Sequence, residues 1–93
     1  MDEENAADVE RRLNEGEEVK IGDLMILFGR PGKPASRSSV DRWLTKGARF
    51  GAKRILIRYR LDPSGDRLCH PEDVLAVLAE SRKWRDADHP DGL

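Results

Sequence analysis

The sequence predicts a mainly α-helical fold with one small β-hairpin, preceded by an acidic N-terminal helix. Apolar residues recur at i, i+3 and i+4 in four separate stretches, the signature of amphipathic helices. One further stretch, residues 55–61, alternates with period two, as a half-buried strand does. Glycine and proline punctuate the chain between these stretches, at 29–34, at Gly47 and at 62–66.

Residues 2–13 form the first predicted helix, with Ala6, Val9 and Leu13 at helical spacing, acids at its start and Gly16 as its stop. Its apolar stripe is thin, so it either docks on the domain or frays in water. Residues 19–21 are a short lead-in. A second helix begins at Lys20 or Gly22 and runs to Phe28, with Leu24, Leu27 and Phe28 on one face. Gly29-Arg30-Pro31-Gly32-Lys33-Pro34 breaks it into a mobile loop carrying two positive charges.

Residues 38–46 form the third helix, with Ser36 or Ser38 as its N-cap and Gly47 as its stop. Taking Val40 as zero and about 100° per residue, Trp43 falls near 300° and Leu44 near 40°. By the same step Arg42, Lys46 and Ser39 fall at about 200°, 240° and 260°, away from that packing stripe. Residues 48–54 read as a basic connector. In residues 55–61, Ile55, Ile57, Tyr59 and Leu61 point one way, and Leu56, Arg58 and Arg60 the other. Asp62-Pro63-Ser64-Gly65-Asp66 is a turn, and residues 67–70 return as the partner strand. Pro71-Glu72-Asp73 opens the last helix, which carries Val74, Val77, Leu78 and Trp84 on one face. Residues 86–93 read as a disordered tail. The predicted organisation is thus an acidic helical segment (1–18), one domain (19–85) and a tail (86–93).

The chain has 93 residues and a formal net charge of -1. Taken at face value that total argues against a nucleic-acid partner, but the charges are segregated. Residues 1–18 hold eight acids and two bases, residues 19–70 twelve bases and four acids, and residues 71–93 six acids and three bases. A basic middle therefore lies between acidic flanks. No apolar run is long enough to cross a membrane, and Met-Asp-Glu-Glu-Asn is the reverse of a secretory leader, so a cytoplasmic location is expected. The single cysteine, Cys69, excludes an internal disulfide. No phosphate loop, nucleophile elbow or His-Glu-x-x-His pair is present, so no enzyme activity, cofactor or metal is expected. Cys69 and His70, adjacent on a strand, point to opposite faces and do not converge on a metal.

Helix, loop, polar-faced helix, basic hairpin and helix in this order are the layout of a winged helix-turn-helix. The second helix of such a pair enters the DNA major groove. The stretch 21–84 resembles the winged-helix DNA-binding domains of the excisionase and MerR-type regulator superfamily. The resemblance rests on Ile21-Gly22-Asp23-Leu24, Leu27-Phe28-Gly29, Ser38-Ser39-Val40-Asp41-Arg42-Trp43-Leu44, Lys46-Gly47, Ser64-Gly65-Asp66-Arg67 and His70-Pro71-Glu72-Asp73-Val74. Two features depart from it. The loop over residues 30–37 is longer than the usual tight turn and can add phosphate contacts through Arg30, Lys33 and Arg37. The wing has a long first strand and a Pro-Ser-Gly-Asp turn.

The resemblance implies sequence-specific binding to double-stranded DNA. Arg42 is the foremost base-contact candidate, with Arg37, Ser38, Ser39 and Lys46 beside it. Arg49, Lys53, Arg54, Arg58, Arg60 and Arg67 would bind phosphates or the flanking minor groove. Each of these side chains also has an ordinary reading as a solvated surface charge. The chain stops about nine residues after Trp84, so the effector domain of a full MerR-type regulator is not expected. An excisionase-like recombination directionality factor, with copies binding cooperatively along DNA and an integrase as partner, and a small transcriptional regulator are both compatible. A protein-interaction module presenting the acidic N-terminal segment is the alternative of a different class. That segment could also fold over the basic face and restrain it.

Overall fold

The structure is a computed structural model that describes residues 5–30 and 32–86, with side chains described as far as Lys83. The described elements are, in order, α1 (Ala6–Asn14), α2 (Ile21–Phe28), α3 (Arg37–Thr45), β1 (Ala48–Phe50), β2 (Lys53–Ile55), β3 (Tyr59–Leu61), β4 (Arg67–Cys69) and α4 (Pro71–Asp86). The four helices and two separate antiparallel hairpins, β1–β2 and β3–β4, make a small α+β fold. The sequence reading expected one hairpin.

α1 docks rather than frays. Val9 and Leu13 are fully buried, and the helix packs against α2 and α4. Each buried side chain contributes roughly 1.5–3 kcal/mol relative to exposure, enough to hold a short helix that would be marginal alone. Asn5 caps it by accepting from the Asp8 N–H at 3.0 Å. Arg12 pairs with Asp23 at 3.0 Å, and Asp23 also accepts from the Lys20 N–H at the start of α2, which ties the two helices together. The core draws on every layer. Val9, Leu13, Val19, Leu24, Leu27, Val40, Leu44, Phe50, Ile57, Cys69, Val74, Val77 and Leu78 form one cluster. Residues 6–14 thus belong to the same core as the rest.

The predicted loop after α2 is a closed turn. Arg30 and Lys33 exchange both backbone hydrogen bonds, at 2.9 and 2.8 Å. Gly32 sits at φ 76°, the left-handed region that glycine adopts without strain. α3 then starts at Arg37, with Ser36 as its N-cap accepting from the Ser39 N–H at 3.2 Å. Val40 and Leu44 are buried, as their spacing predicts. Trp43 packs edge-on against Phe28, ring centroids 5.0 Å apart.

The largest departure from the sequence reading lies after α3. The expected connector, 48–54, is the hairpin β1–β2. Ala48 and Phe50 point inward while Arg49 points out, and Gly51 at φ 64° makes the tight turn. The expected single strand 55–61 is split. The Ile57 N–H donates to the Trp43 carbonyl at 3.3 Å, and the Arg58 N–H to the Asp73 carboxylate at 2.9 Å. Those bonds take the N–H groups of Ile57 and Arg58 out of any ladder, while the Arg58 carbonyl still accepts from the His70 N–H at 2.9 Å. Ile57 stays buried, but Leu56, Tyr59 and Leu61 are exposed, which corrects the inward placement of Tyr59 and Leu61. The phase of the alternation is lost at the break.

The β3–β4 turn is closed by Asp62, whose Oδ1 accepts from the N–H groups of Ser64 and Asp66, each at 2.9 Å. Val19 bridges the outer side of Cys69. Among the described residues, no helix is long and apolar enough to cross a membrane. The expectations for Trp84 as a packing residue and for the tail after Asp86 lie outside the described side chains and residues.

Candidate nucleic-acid interface

α3 is flanked by a hairpin on each side. On one flank Asp41 receives Arg67 of β4 at 3.0 Å, and Arg37 shares a cleft with Gly65, Asp66 and the start of α2. On the other flank Ser36, Ser39 and Trp43 line a cleft of about 250 Å³ with Ala48, Arg49 and Phe50 of β1 and Val77 and Ser81 of α4. Between the flanks, Ser38, Arg42, Thr45 and Lys46 are exposed and face away from the core.

The β1–β2 register sets Arg49 directly opposite Arg54, and both are exposed. Phe50 and Ala48 hold the other side of β1 in the core, so period two fixes Arg49 outward. The stem of Arg54 lies over Gly47 at the end of α3. A Cβ at Gly47 would come 2.7 Å from Arg54 Cγ, and its φ of 93° independently favours glycine.

The ion pairs divide the cations into two sets. Arg58 is held by Asp73 in a two-pronged contact at 2.8 and 3.2 Å, and Arg60 grips Glu18 at 2.6 Å. Arg67 reaches Asp41 and also lies over the Tyr59 ring at 5.4 Å. Lys53 pairs with Glu80, Lys20 with Asp66 and Arg82 with Glu10. Arg11 and Arg12 likewise have acid partners. By contrast Arg30, Lys33, Arg37, Arg42, Lys46, Arg49 and Arg54 have no acid partner among the described residues. All seven lie between residues 30 and 54, on the turn before α3, on α3 or its C-cap, and on the hairpin after it.

The acids on the other side of these pairs respond. The Arg58 hydrogen bond holds the Asp73 carboxyl below its ordinary range, and the Arg60 and Arg82 guanidinia do the same for Glu18 and Glu10. The Glu80 carboxyl is lowered by its bond from Lys53. α1, α2 and α4 each carry an acid in the first turn, where the helix dipole favours it, whereas the first turn of α3 carries none.

Of the residues expected at the interface, the structure places Arg37, Ser38 and Arg42 on α3, Lys46 at its C-cap, and Arg49 and Arg54 on the adjoining hairpin. Ser39 is half-buried in the cleft, with its hydroxyl 2.9 Å from that of Ser36. Lys53, Arg58, Arg60 and Arg67 stand outside this cation set because acids hold them. Charge alone could not separate these groups, since pairing depends on contacts as distant in sequence as Arg60 and Glu18. The acids of residues 5–18 pair with Arg11, Arg12, Arg60 and Arg82, not with any cation of residues 30–54.

Burial pushes the Cys69 thiol up to about 11, which leaves it protonated at neutral pH. Among the described residues no group of three or more His, Cys, Asp and Glu side chains could hold a metal ion. No family model matches the chain, and no characterised protein or solved structure matches it at a significant level.

Proposed function

We propose that the protein binds double-stranded DNA, with α3 in the major groove and the β1–β2 hairpin on the neighbouring phosphates or minor groove. The observation that carries this reading is that, among the described residues, the cations without an acid partner all lie between residues 30 and 54. A protein that used its cations only for solubility would have no reason to pair the described ones elsewhere and leave seven of the eight in this stretch without an acid partner. The element order from α2 onward is compatible with a winged helix-turn-helix, and the motif resemblance of residues 21–84 supports the same reading.

In this reading Arg42 donates to base edges, with Ser38 and Lys46 beside it. Arg37, Arg49 and Arg54 set the register on the backbone. The wing role expected for Arg58, Arg60 and Arg67 passes to Arg49 and Arg54, because carboxylates already occupy the former. A small architectural factor of recombination, working in several copies with an integrase, and a compact transcriptional regulator both use such a module. Tight specific binding by one module of this size is limited by its contact area, roughly 600–1,000 Å².

The rival reading, an interaction module presenting an acidic N-terminal segment, loses support from Glu10, Glu17 and Glu18, which are paired within the protein. The test is fluorescence anisotropy on random and selected duplexes. Neutralising roughly six phosphates gives a log–log salt slope of about -5. A slope near zero would reject the DNA reading.

A further inference from the structure

We propose that the turn at residues 30–33 is a separately built phosphate clasp, outside α3 and outside the β1–β2 hairpin. It deepens the DNA reading and rests on it. The turn is closed by two backbone hydrogen bonds between Arg30 and Lys33, so the two side chains leave a fixed base next to each other. Paired residues of this kind have Cα atoms roughly 5.5 Å apart.

The base is anchored on both sides. The Ala35 N–H donates to the Met25 carbonyl of α2 at 2.9 Å. Gly29 is crossed so closely by the returning chain that a Cβ there would lie 2.6 Å from Pro34 Cα and from the Ala35 nitrogen. No side chain but hydrogen fits, and the turn is held against the end of α2.

Charge makes the turn a site rather than a spacer. Arg30 and Lys33 are exposed, and no Asp or Glu occurs between Asp23 and Asp41. Two cations held side by side without a counter-charge repel, and neither contributes to the core. A phosphodiester removes that repulsion. Arginine grips it with two parallel N–H donors and lysine with a point charge. Because two hydrogen bonds already join Arg30 to Lys33, bringing the two cations together on binding costs little further conformational entropy. A loop present only for solubility would need neither the double hydrogen bond nor the crossing at Gly29.

The clasp reads charge and position, not bases. Its signature is therefore salt dependence on any sequence. On a random duplex of about 20 bp, the double variant Arg30→Ala/Lys33→Ala should reduce the magnitude of the log–log salt slope by nearly 2, about 0.9 for each lost phosphate contact. The ratio of affinities for selected and random duplexes should stay unchanged, and the melting temperature should not fall. Gly32→Val keeps both charges but strains the positive φ, and should weaken random-duplex binding several-fold.

An unchanged slope in the double variant, with the wild type still binding duplex, overturns the clasp and leaves the DNA reading standing. Wild-type affinity in Gly32→Val overturns it too, because charge without geometry then suffices. Failure of the wild type to bind any duplex overturns both. If the double variant loses binding to vesicles of anionic lipid but not to duplex, the turn serves a membrane surface and the DNA clasp is rejected.

Discussion

Arg49 and Arg54 stand directly opposite each other across the β1–β2 hairpin, both on its solvent face. Like charges in this position destabilise an antiparallel pair. The fold keeps them together while supplying carboxylates to Arg60 and Arg67 on the other hairpin and to Arg58 just before it. Stability and binding are therefore expected to move in opposite directions at this pair. Arg54→Glu should raise the hairpin's stability slightly, by about 0.2–1 kcal/mol, and lower duplex affinity by more than the loss of one contact. Thermal melts and anisotropy titrations of the same sample check both. Loss of stability with retained affinity would contradict the assignment.

Arg42 is the cation at the centre of the exposed face of α3, and it has no acid partner among the described residues. Arg42→Ala should relax sequence preference by about 1–3 kcal/mol while leaving the fold unchanged. Binding to random duplex should weaken much less. The comparison needs a duplex selected by the wild-type protein. An intact preference in the variant would mean that another element reads the bases.

α1 is part of the core and not a removable restraint. Leu13 is 1% exposed. Leu13→Ala should cost about 2–5 kcal/mol in a denaturant titration, the range for emptying a buried leucine site. Deleting residues 1–18 should unfold the domain rather than raise its affinity for DNA. A truncated chain that folds and binds DNA more tightly at low salt would show that the segment acts as a cover after all.

Asp73, Glu18 and Glu10 are held below their ordinary range chiefly by hydrogen bonds from Arg58, Arg60 and Arg82. A carboxyl with a lowered folded value stabilises the fold above its unfolded value, near 4. That contribution is lost as pH falls through the folded value. The melting temperature should be flat from about pH 7 to 5 and fall below about pH 4. Asp73→Asn should melt lower at neutral pH and lose less on acidification. Circular dichroism melts across this range decide the matter, and a rising melting temperature below pH 4 would contradict the role of these pairs.

Helix existence was legible because Val40, Trp43 and Leu44, or Val74, Val77 and Leu78, repeat at a spacing only a helix explains. The N-cap of α3 was narrowed to Ser36 or Ser38, and the start of α4 at Pro71 was legible, both from local chemistry. The β1–β2 hairpin was not, because Gly51-Ala52 is a weak turn signal and basic residues mask the inward alternation of Ala48 and Phe50. The break at 56–58 was also hidden. It depends on backbone donors captured by Trp43 and Asp73, which no local pattern announces. At the site, the basic segment was visible in the charge count. The division into free and paired cations was not, since Arg58–Asp73 and Arg60–Glu18 join residues far apart in the chain.

The most direct test of the DNA-binding face is an amide chemical-shift map of the isotope-labelled protein titrated with a short duplex at low salt. The expected perturbations cluster on α3, on β1–β2 and on the turn before α3, with α1 and α4 little changed. Perturbations confined to α1 and α4, or none at all at low salt, would contradict the assignment of residues 30–54 as the DNA-binding face.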